Sequence, residues 1–173
     1  LFDLIQYQKT IQQRNALLKY FAKNRTWDKD SLEIYDDPII RFGTKIFTKR
    51  KDFVQQLNPI VQNFYQIISG GKEAVSVLYE SHLFEELLKE SLERDRMLTY
   101  TSKGIHKDDL LFEMDHVLIK KIGSQGQQKS FLISLKLAQM SLVKELTKKT
   151  PILLLDDIFD KLDDTRVSQL IEL

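Results

Sequence analysis

The sequence predicts an α/β fold that carries a helical arm, on three observations. Leu32, Ile39, Ile46, Phe53, Ile60 and Ile67 stand in successive heptad positions, the mark of a long helix that another element must cover. Val75, Val77 and Tyr79 alternate with Ser76 and Leu78, and two further apolar runs flank Asp115-His116, as strands require. Ile152-Leu153-Leu154-Leu155 is apolar on both faces and ends in Asp156-Asp157, the pattern of a strand in a sheet covered on both sides.

In chain order, Leu1 to about Lys23 reads as the first helix. Leu4, Ile11 and Leu18 recur every seven residues, Tyr7 and Phe21 supply most of a second seam, and Arg14 breaks it. Asn24 to Asp30, with Trp27, forms a break. The long stripe from Leu32 follows, its second seam passing from Tyr35 and Phe42 to Leu57 and Phe64. Pro38 and Pro59 each lack an amide donor, so kinks or restarts are expected there, with Asp37 and Asn58 as N-caps. Residues 1–69 thus read as an antiparallel two-helix arm, although periodicity alone also fits an ordinary bundle.

Gly70-Gly71 ends the long helix, because glycine tolerates the left-handed cap conformation. Residues 70–173 read as the second region. After the Val75–Tyr79 strand, Leu83 to Leu98 is amphipathic, with Leu83, Phe84, Leu87 and Leu88 on one face, and Thr99 to Asp109 is a polar turn. Leu110 to Met114 and Val117 to Ile122 read as strands joined at Asp115-His116. Ser124 opens a helix with Phe131, Leu135, Ala138, Leu142 and Leu146 as its buried stripe. Pro151 stops it before the Ile152–Leu155 strand, and Asp163 caps a last helix carrying Val167, Leu170 and Ile171.

Composition excludes several classes. The 173 residues carry a net charge of +1, so the chain is neither a polycation nor an acidic tail. With no cysteine there is no disulfide frame, thiolate zinc site or thiol nucleophile, which suits a cytoplasmic location. No apolar run approaches the ~20 residues that span a bilayer, so no membrane partner is expected. The opening at Leu1 without methionine, and the end at Leu173 inside a helical pattern, read as those of a fragment. Charge is uneven: residues 1–60 hold 11 basic and 7 acidic side chains. The excess gathers at Arg41, Lys45, Lys49, Arg50 and Lys51, on overlapping helical turns, as a candidate phosphate-facing stretch or simply a solvated face.

Two segments carry chemistry. Carboxylates at the end of a buried strand lie where open α/β folds bind ligands. In nucleotide-hydrolysing folds, the first such acid (here Asp156) serves Mg²⁺ and the next (here Asp157) the attacking water. Alone, the pair also fits a strand end followed by a capped turn. Gly123-Ser124-Gln125-Gly126-Gln127-Gln128-Lys129 places small residues at a helix start, where free amides and the helix dipole favour an anion. Alone, it is equally a polar cap, and no Gly-Lys-Ser/Thr phosphate loop occurs in the chain.

In this order, the serine–glycine cap, amphipathic helix, Asp-Asp strand end and Phe159-Asp160-Lys161-Leu162-Asp163 resemble the back half of an ABC-type ATPase. The wording Ser-Gln-Gly-Gln-Gln-Lys with Leu-Leu-Leu-Asp-Asp-Ile is similar to the RecF family of bacterial recombination-repair ATPases. Gln13–Lys19, Ile68–Glu73, Glu93–Arg96 and Gly104–Leu110 resemble segments of the same family, so the likeness covers nearly the whole chain. Ile105 stands where the family typically has proline, and Lys107 where it often has arginine. Gln125 and Asp157 replace the glycine and glutamate of most ABC ATPases, as is usual in RecF-like sequences.

The resemblance implies roles. Ser124, Gln125, Gly126, Gln127, Gln128 and Lys129 would be the signature motif, acting on ATP held by a second subunit. Asp156 would join the Mg²⁺ shell, Asp157 would activate water, and Leu162 and Asp163 would be the D-loop at the subunit contact. The phosphate loop would lie before Leu1 and the switch histidine after Leu173. His82 and His116 are expected to face solvent, and His106 receives no role. The family function would be a slow, switching ATPase whose ATP-dependent homodimer clamps duplex DNA near single-strand junctions, works with RecR and helps load recombinase. Residues 1–173 alone would then be inactive. A different coiled-coil ABC ATPase of chromosome maintenance, or a non-catalytic DNA-binding scaffold, are the alternatives.

Overall fold

A computed structural model describes residues 1–83, 85–154 and 160–173, with 85–87 described through their backbone alone. The side chains of Phe84 and Leu87 in the predicted apolar face, and Leu155, Asp156, Asp157 and Phe159, lie outside the described residues. The chain forms two compact units, one of Leu1–Asp52 with Tyr79–Asp109, the other of Phe53–Leu78 with Leu110–Leu173. The long helix runs unbroken through residues 52 and 53, where the first boundary between the units falls.

In the first unit, α1 (Phe2–Asn24) and the early part of α3 (Asp36–Ser69) run antiparallel. Asp3 pairs with Lys45 and Lys49 at one end, and Arg14 with Asp36 at the other. Between them Tyr7, Ile39, Ile46, Leu83, Leu88 and Ile105 form one apolar cluster. Gly43 makes room for the Leu83 side chain: a Cβ there would stand 2.6 Å from Leu83 Cδ1. A short helix that periodicity does not signal, α2 (Lys29–Glu33), interrupts the predicted stripe, and Asp28 caps it by accepting from Ser31 N at 3.2 Å. Its Leu32 joins Leu18 and Phe21 in a second cluster, against which Trp27 packs.

The helical run restarts at Asp36, two residues before Pro38, whereas Pro59 does not interrupt α3. Pro38 sits in the first turn, where its missing amide has no role, so Asp37 lies inside the helix rather than capping it. Pro59 lies in mid-helix, and the burial of Val54, Leu57, Val61, Tyr65 and Ile68 holds the helix together around it. Phe53, by contrast, is exposed, because an ideal helix drifts ~20° per heptad and the buried stripe leaves the strict seven-residue register. Asn58 is not a cap either: it accepts from Val77 N at 2.8 Å, while Gln62 Nε2 donates to Val75 O at 3.0 Å. Four helical residues rise ~6 Å and two strand residues ~6.6 Å, so this pair matches the spacing of β1 (Val75–Glu80). Gly70 and Gly71 end α3 with φ of +69° and +74°.

Strands β1, β2 (Asp109–Met114) and β3 (Val117–Leu118) form one sheet in that order, with β2 and β3 antiparallel. Asp115 and His116, at φ of 48° and 65°, make the tight turn that such hairpins favour. The amphipathic segment from Leu83 divides at Ser91 into α4 (Glu85–Glu90) and α5 (Leu92–Leu98). The strand expected over Val117–Ile122 is two residues long, and Ile119–Ile122 closes a single helical turn, α6. A short Val-Leu-Ile run satisfies either period, and the chain closes a helical turn in which Ile119 is buried and Ile122 exposed.

In the second unit α7 (Gln125–Thr147) and α8 (Asp164–Ile171) pack with α3 through Ile68, Ile133, Leu137 and Leu170, with Leu153 and Leu162 at the margin. Phe131, Ala138 and Leu142 are buried as expected, Leu135 is half-buried, and Leu146 is exposed in the last turn of α7. Residues 151–154 are not a strand. No strand pairs with them among the described residues, and Ile152 and Leu154 are 89% and 88% exposed. No described helix is long and apolar enough to cross a membrane.

Candidate functional site

The cap predicted at Ser124 forms in full. Ser124 Oγ accepts from Gln127 N at 3.2 Å, and Gln127 Oε1 accepts from Ser124 N at 2.7 Å, a reciprocal capping box. Gln128 Nε2 closes on Gly123 O at 2.8 Å. Ser124 and Gln125 are exposed, and Lys129 is half-buried. The first-turn amides of Gln125 and Gly126 have no acceptor within the helix, so the start of α7 offers donors to an anion.

This cap is fastened to two other segments of the same unit. Gln127 Nε2 donates to Glu73 Oε1 at 2.8 Å, and the same oxygen lies 3.6 Å from Arg166 Nη2. Tyr65 Oη donates to the other Glu73 oxygen at 3.4 Å; burial and the nearby carboxylate push this phenol up to about 12. Arg166 in turn pairs with Asp163 through Nε at 3.4 Å, while its amide donates to Asp163 Oδ1 at 2.9 Å and caps α8. Leu162 packs at the edge of the apolar cluster. Gly126 has no room for a side chain: a Cβ would stand 2.9 Å from Lys161 O and 3.3 Å from Arg166 Nη1. The structure thus brings Ser124–Gln127 and Lys161–Asp163 together.

Asp156 and Asp157 lie outside the described residues, and the remaining described residues contain no cluster of three His, Cys, Asp or Glu side chains that could hold a metal ion. The basic stretch is divided. Arg41, Lys45 and Lys49 point outward, Lys45 and Lys49 pairing with Asp3 at 3.6 and 3.8 Å and Arg41 lying over the Phe42 ring at 4.7 Å. Lys51 is exposed, with Nζ 6.0 Å from the Phe47 ring centroid. Arg50 turns inward to donate to Ile105 O at 2.7 Å and to pair with Asp108 at 3.4 Å.

The polar turn Thr99–Asp109 is instead the hub of the first unit. Asp108 takes Tyr79 Oη, Ser81 Oγ at 2.8 Å and His82 N at 2.9 Å besides Arg50. Arg14, the break in the α1 seam, is fully buried and donates to Asp95 at 2.7 Å and to Thr101 at 2.9 Å. His106 bridges Tyr7 Oη through Nδ1 and Thr101 O through Nε2, both at 2.9 Å. The carbonyl fixes the proton on Nε2, and partial burial lowers the imidazole below its ordinary value. His116 is exposed as expected, and His82 is half-buried. Sequence reasoning missed Glu73, Arg166, Arg14 and Asp95 as partners. Arg14's place in an apolar seam was a signal of burial, but nothing local names an acid 81 residues away.

No protein-family model matches the chain. Curated relatives do: the chain is 58% identical over its whole length to the DNA replication and repair protein RecF of Flavobacterium johnsoniae, covering 49% of that protein. It is 45% identical over 98% of its length to RecF of Cytophaga hutchinsonii, covering 46% of it. A solved structure of the recombination mediator protein RecF-ATP in the RecFOR pathway superposes with a TM-score of 0.83 at 31% identity, over 99% of this chain and 49% of that one. A second, of RecF with ATPrS, gives 0.82 at 30% identity over 95% of this chain and 47% of that one. The chain spans about half the length of the relatives it matches. The α/β architecture is accordingly part of the ABC-type ATPase fold with its helical arm, and along its whole length the chain is related to one half of RecF proteins.

Proposed function

We propose that this chain is part of an ATP-dependent DNA-binding protein of recombinational repair and replication. The observation that carries the reading is the exposed, fully formed cap at Ser124, in a chain related along its whole length to proteins named for DNA replication and repair. The first-turn amides of Gln125 and Gly126, with the Ser124 hydroxyl, fit a phosphate group. In the full-length protein these donors would meet the terminal phosphate of ATP held by a second copy. Gln127, Gln128 and Lys129 would complete that signature, and Leu162 and Asp163 would contact the second copy as the D-loop. Asp156 would serve Mg²⁺ and Asp157 the attacking water, giving a slow ATPase; residues 1–173 alone would neither bind nor hydrolyse ATP.

The arm, residues 1–69, would supply part of the DNA clamp. Arg41, Lys45, Lys49 and Lys51 are its outward cations for duplex and single-strand/duplex junction phosphates, and the internal bonds of Arg50 weigh against that residue joining them. Work with RecR and loading of recombinase complete the reading. The exposed apolar side chains of Ile152, Leu154 and Leu146 support a sheet completed by the rest of a longer protein.

The test is Ser124→Arg in the full-length protein, which fills the closing gap with a bulky side chain. ATP affinity of the monomer should stay within about twofold of the parent, while sedimentation with a slowly hydrolysed ATP analogue should show dimerisation lost. Normal dimerisation, or failure of the monomer to bind ATP, would overturn the assignment of the signature.

A further inference from the structure

The geometry points to Glu73 and Arg166 as positioning residues that couple the Ser124 cap to the Asp163 segment, so that neither can shift alone. The inference rests on the reading of these two segments as signature and D-loop, and it adds how they communicate. A continuous polar path joins them. Asp163 holds Arg166 by side chain and amide, Arg166 holds Glu73, Glu73 holds Gln127, and Gln127 holds the Ser124 amide.

Three features make this path a linkage rather than a set of neighbours. Arg166 and Gln127 converge on the same oxygen, Glu73 Oε1, so any displacement of the guanidinium changes the partner shared with Gln127. The carboxylate is held on its other side by Tyr65 and is only 15% exposed, so it is not free to follow either partner into water. A mostly buried carboxylate that loses its cation is left poorly compensated, which penalises independent motion of the two segments. Beside the polar path, Lys161 O seats against Gly126 with no room for a Cβ, so the backbones are in contact as well. Movement at the subunit contact would therefore reach the phosphate-facing serine within a single unit, without passing through nucleotide.

Glu73→Gln, Arg166→Met and the double variant, made in the full-length protein, test this. Glu73→Gln keeps an acceptor for Gln127 and removes the charge that holds Arg166. Amide hydrogen exchange at Ser124, Gln127 and Gln128, measured without nucleotide, should quicken about tenfold in each variant, and no further in the double variant, because both substitutions cut one path. ATP affinity of the monomer should stay within about twofold. The turnover number at saturating ATP should fall about tenfold, with the KM for ATP unchanged. Folded variants with parental exchange at Ser124, Gln127 and Gln128, or a double variant equal to the product of the singles, would overturn the coupling. If Arg166→Met fails to fold, Glu73→Gln carries the same test. If exchange quickens as expected but the parent neither binds ATP nor dimerises with it, the coupling stands and the functional reading falls.

Discussion

The two units each contain a polar cluster built around a mostly buried arginine, and the clusters differ in where they end. Around Arg14 the hydrogen bonds lead inward, to Asp95, Thr101 and Asn15, with Asp95 also taking Ser102 N at 2.8 Å, and Asp36 stands 3.5 Å from Arg14 Nε. Around Arg166 the path runs outward, through Glu73 and Gln127 to an exposed serine. The first cluster occupies what an apolar seam would otherwise fill, and it ties α1 to α5 and to the turn after it. The second leaves its last donors facing solvent. A buried network fixes a fold, whereas one that ends at the surface has donors that a ligand or partner can meet.

The largest effect that separates them is expected at Arg14. Arg14→Ala strips a fully buried carboxylate of its cation and should destabilise the protein by ~3–5 kcal/mol. Denaturant unfolding measures it, and Arg14→Met with Asp95→Leu should recover more than half of the loss. A loss under about 1 kcal/mol would erase the distinction between the clusters. Ser124→Ala should cost less, about 1 kcal/mol of cap energy by the same measurement, because a solvated helix start can turn to water.

The smallest effect concerns pH. The His106 ring is held neutral between Tyr7 and Thr101, with Lys107 opposing its charge and Asp108 and Asp95 favouring it. Its folded value lies below the unfolded one. The unfolded chain therefore binds the proton first, and stability falls as pH drops below ~6.5. Asp36, raised mainly by burial, contributes with the opposite sign in the acid range above the ordinary carboxylate value. His106→Gln should flatten unfolding curves between about pH 7.5 and 5.5 and leave the acid limb unchanged. An unchanged slope in that window would place the titration elsewhere.

How far these features could be read in advance follows from how local they are. Ser124 and Asp163 were legible because a cap and the amide it accepts from stand three residues apart. Gly70 and Gly71 were legible because the left-handed conformation nearly names its residue. Arg14 could be seen as a break in a stripe but not as half of a pair, since Asp95 reaches it only through the tertiary fold. Asn58 looked like a cap because it precedes proline, and burial along α3 overrode that local signal. Arg166 gave no signal at all. The Ile152 segment shows the converse limit, for a strand exists only with a neighbour, and sequence pattern alone does not supply one.

The match between Asn58, Gln62 and the backbone of β1 also bears on how this chain can change over generations. Deleting or inserting a single residue between positions 58 and 62 would turn Gln62 by about 100° around the helix, away from Val75. Adding a whole turn would restore the direction but double the separation, leaving one strand group without its partner. Length variation is therefore barred from this stretch of α3, whatever the side chains around it do. Among descendants of this chain, gaps belong in the loops, and the five positions from 58 to 62 should be inherited as a block of fixed length.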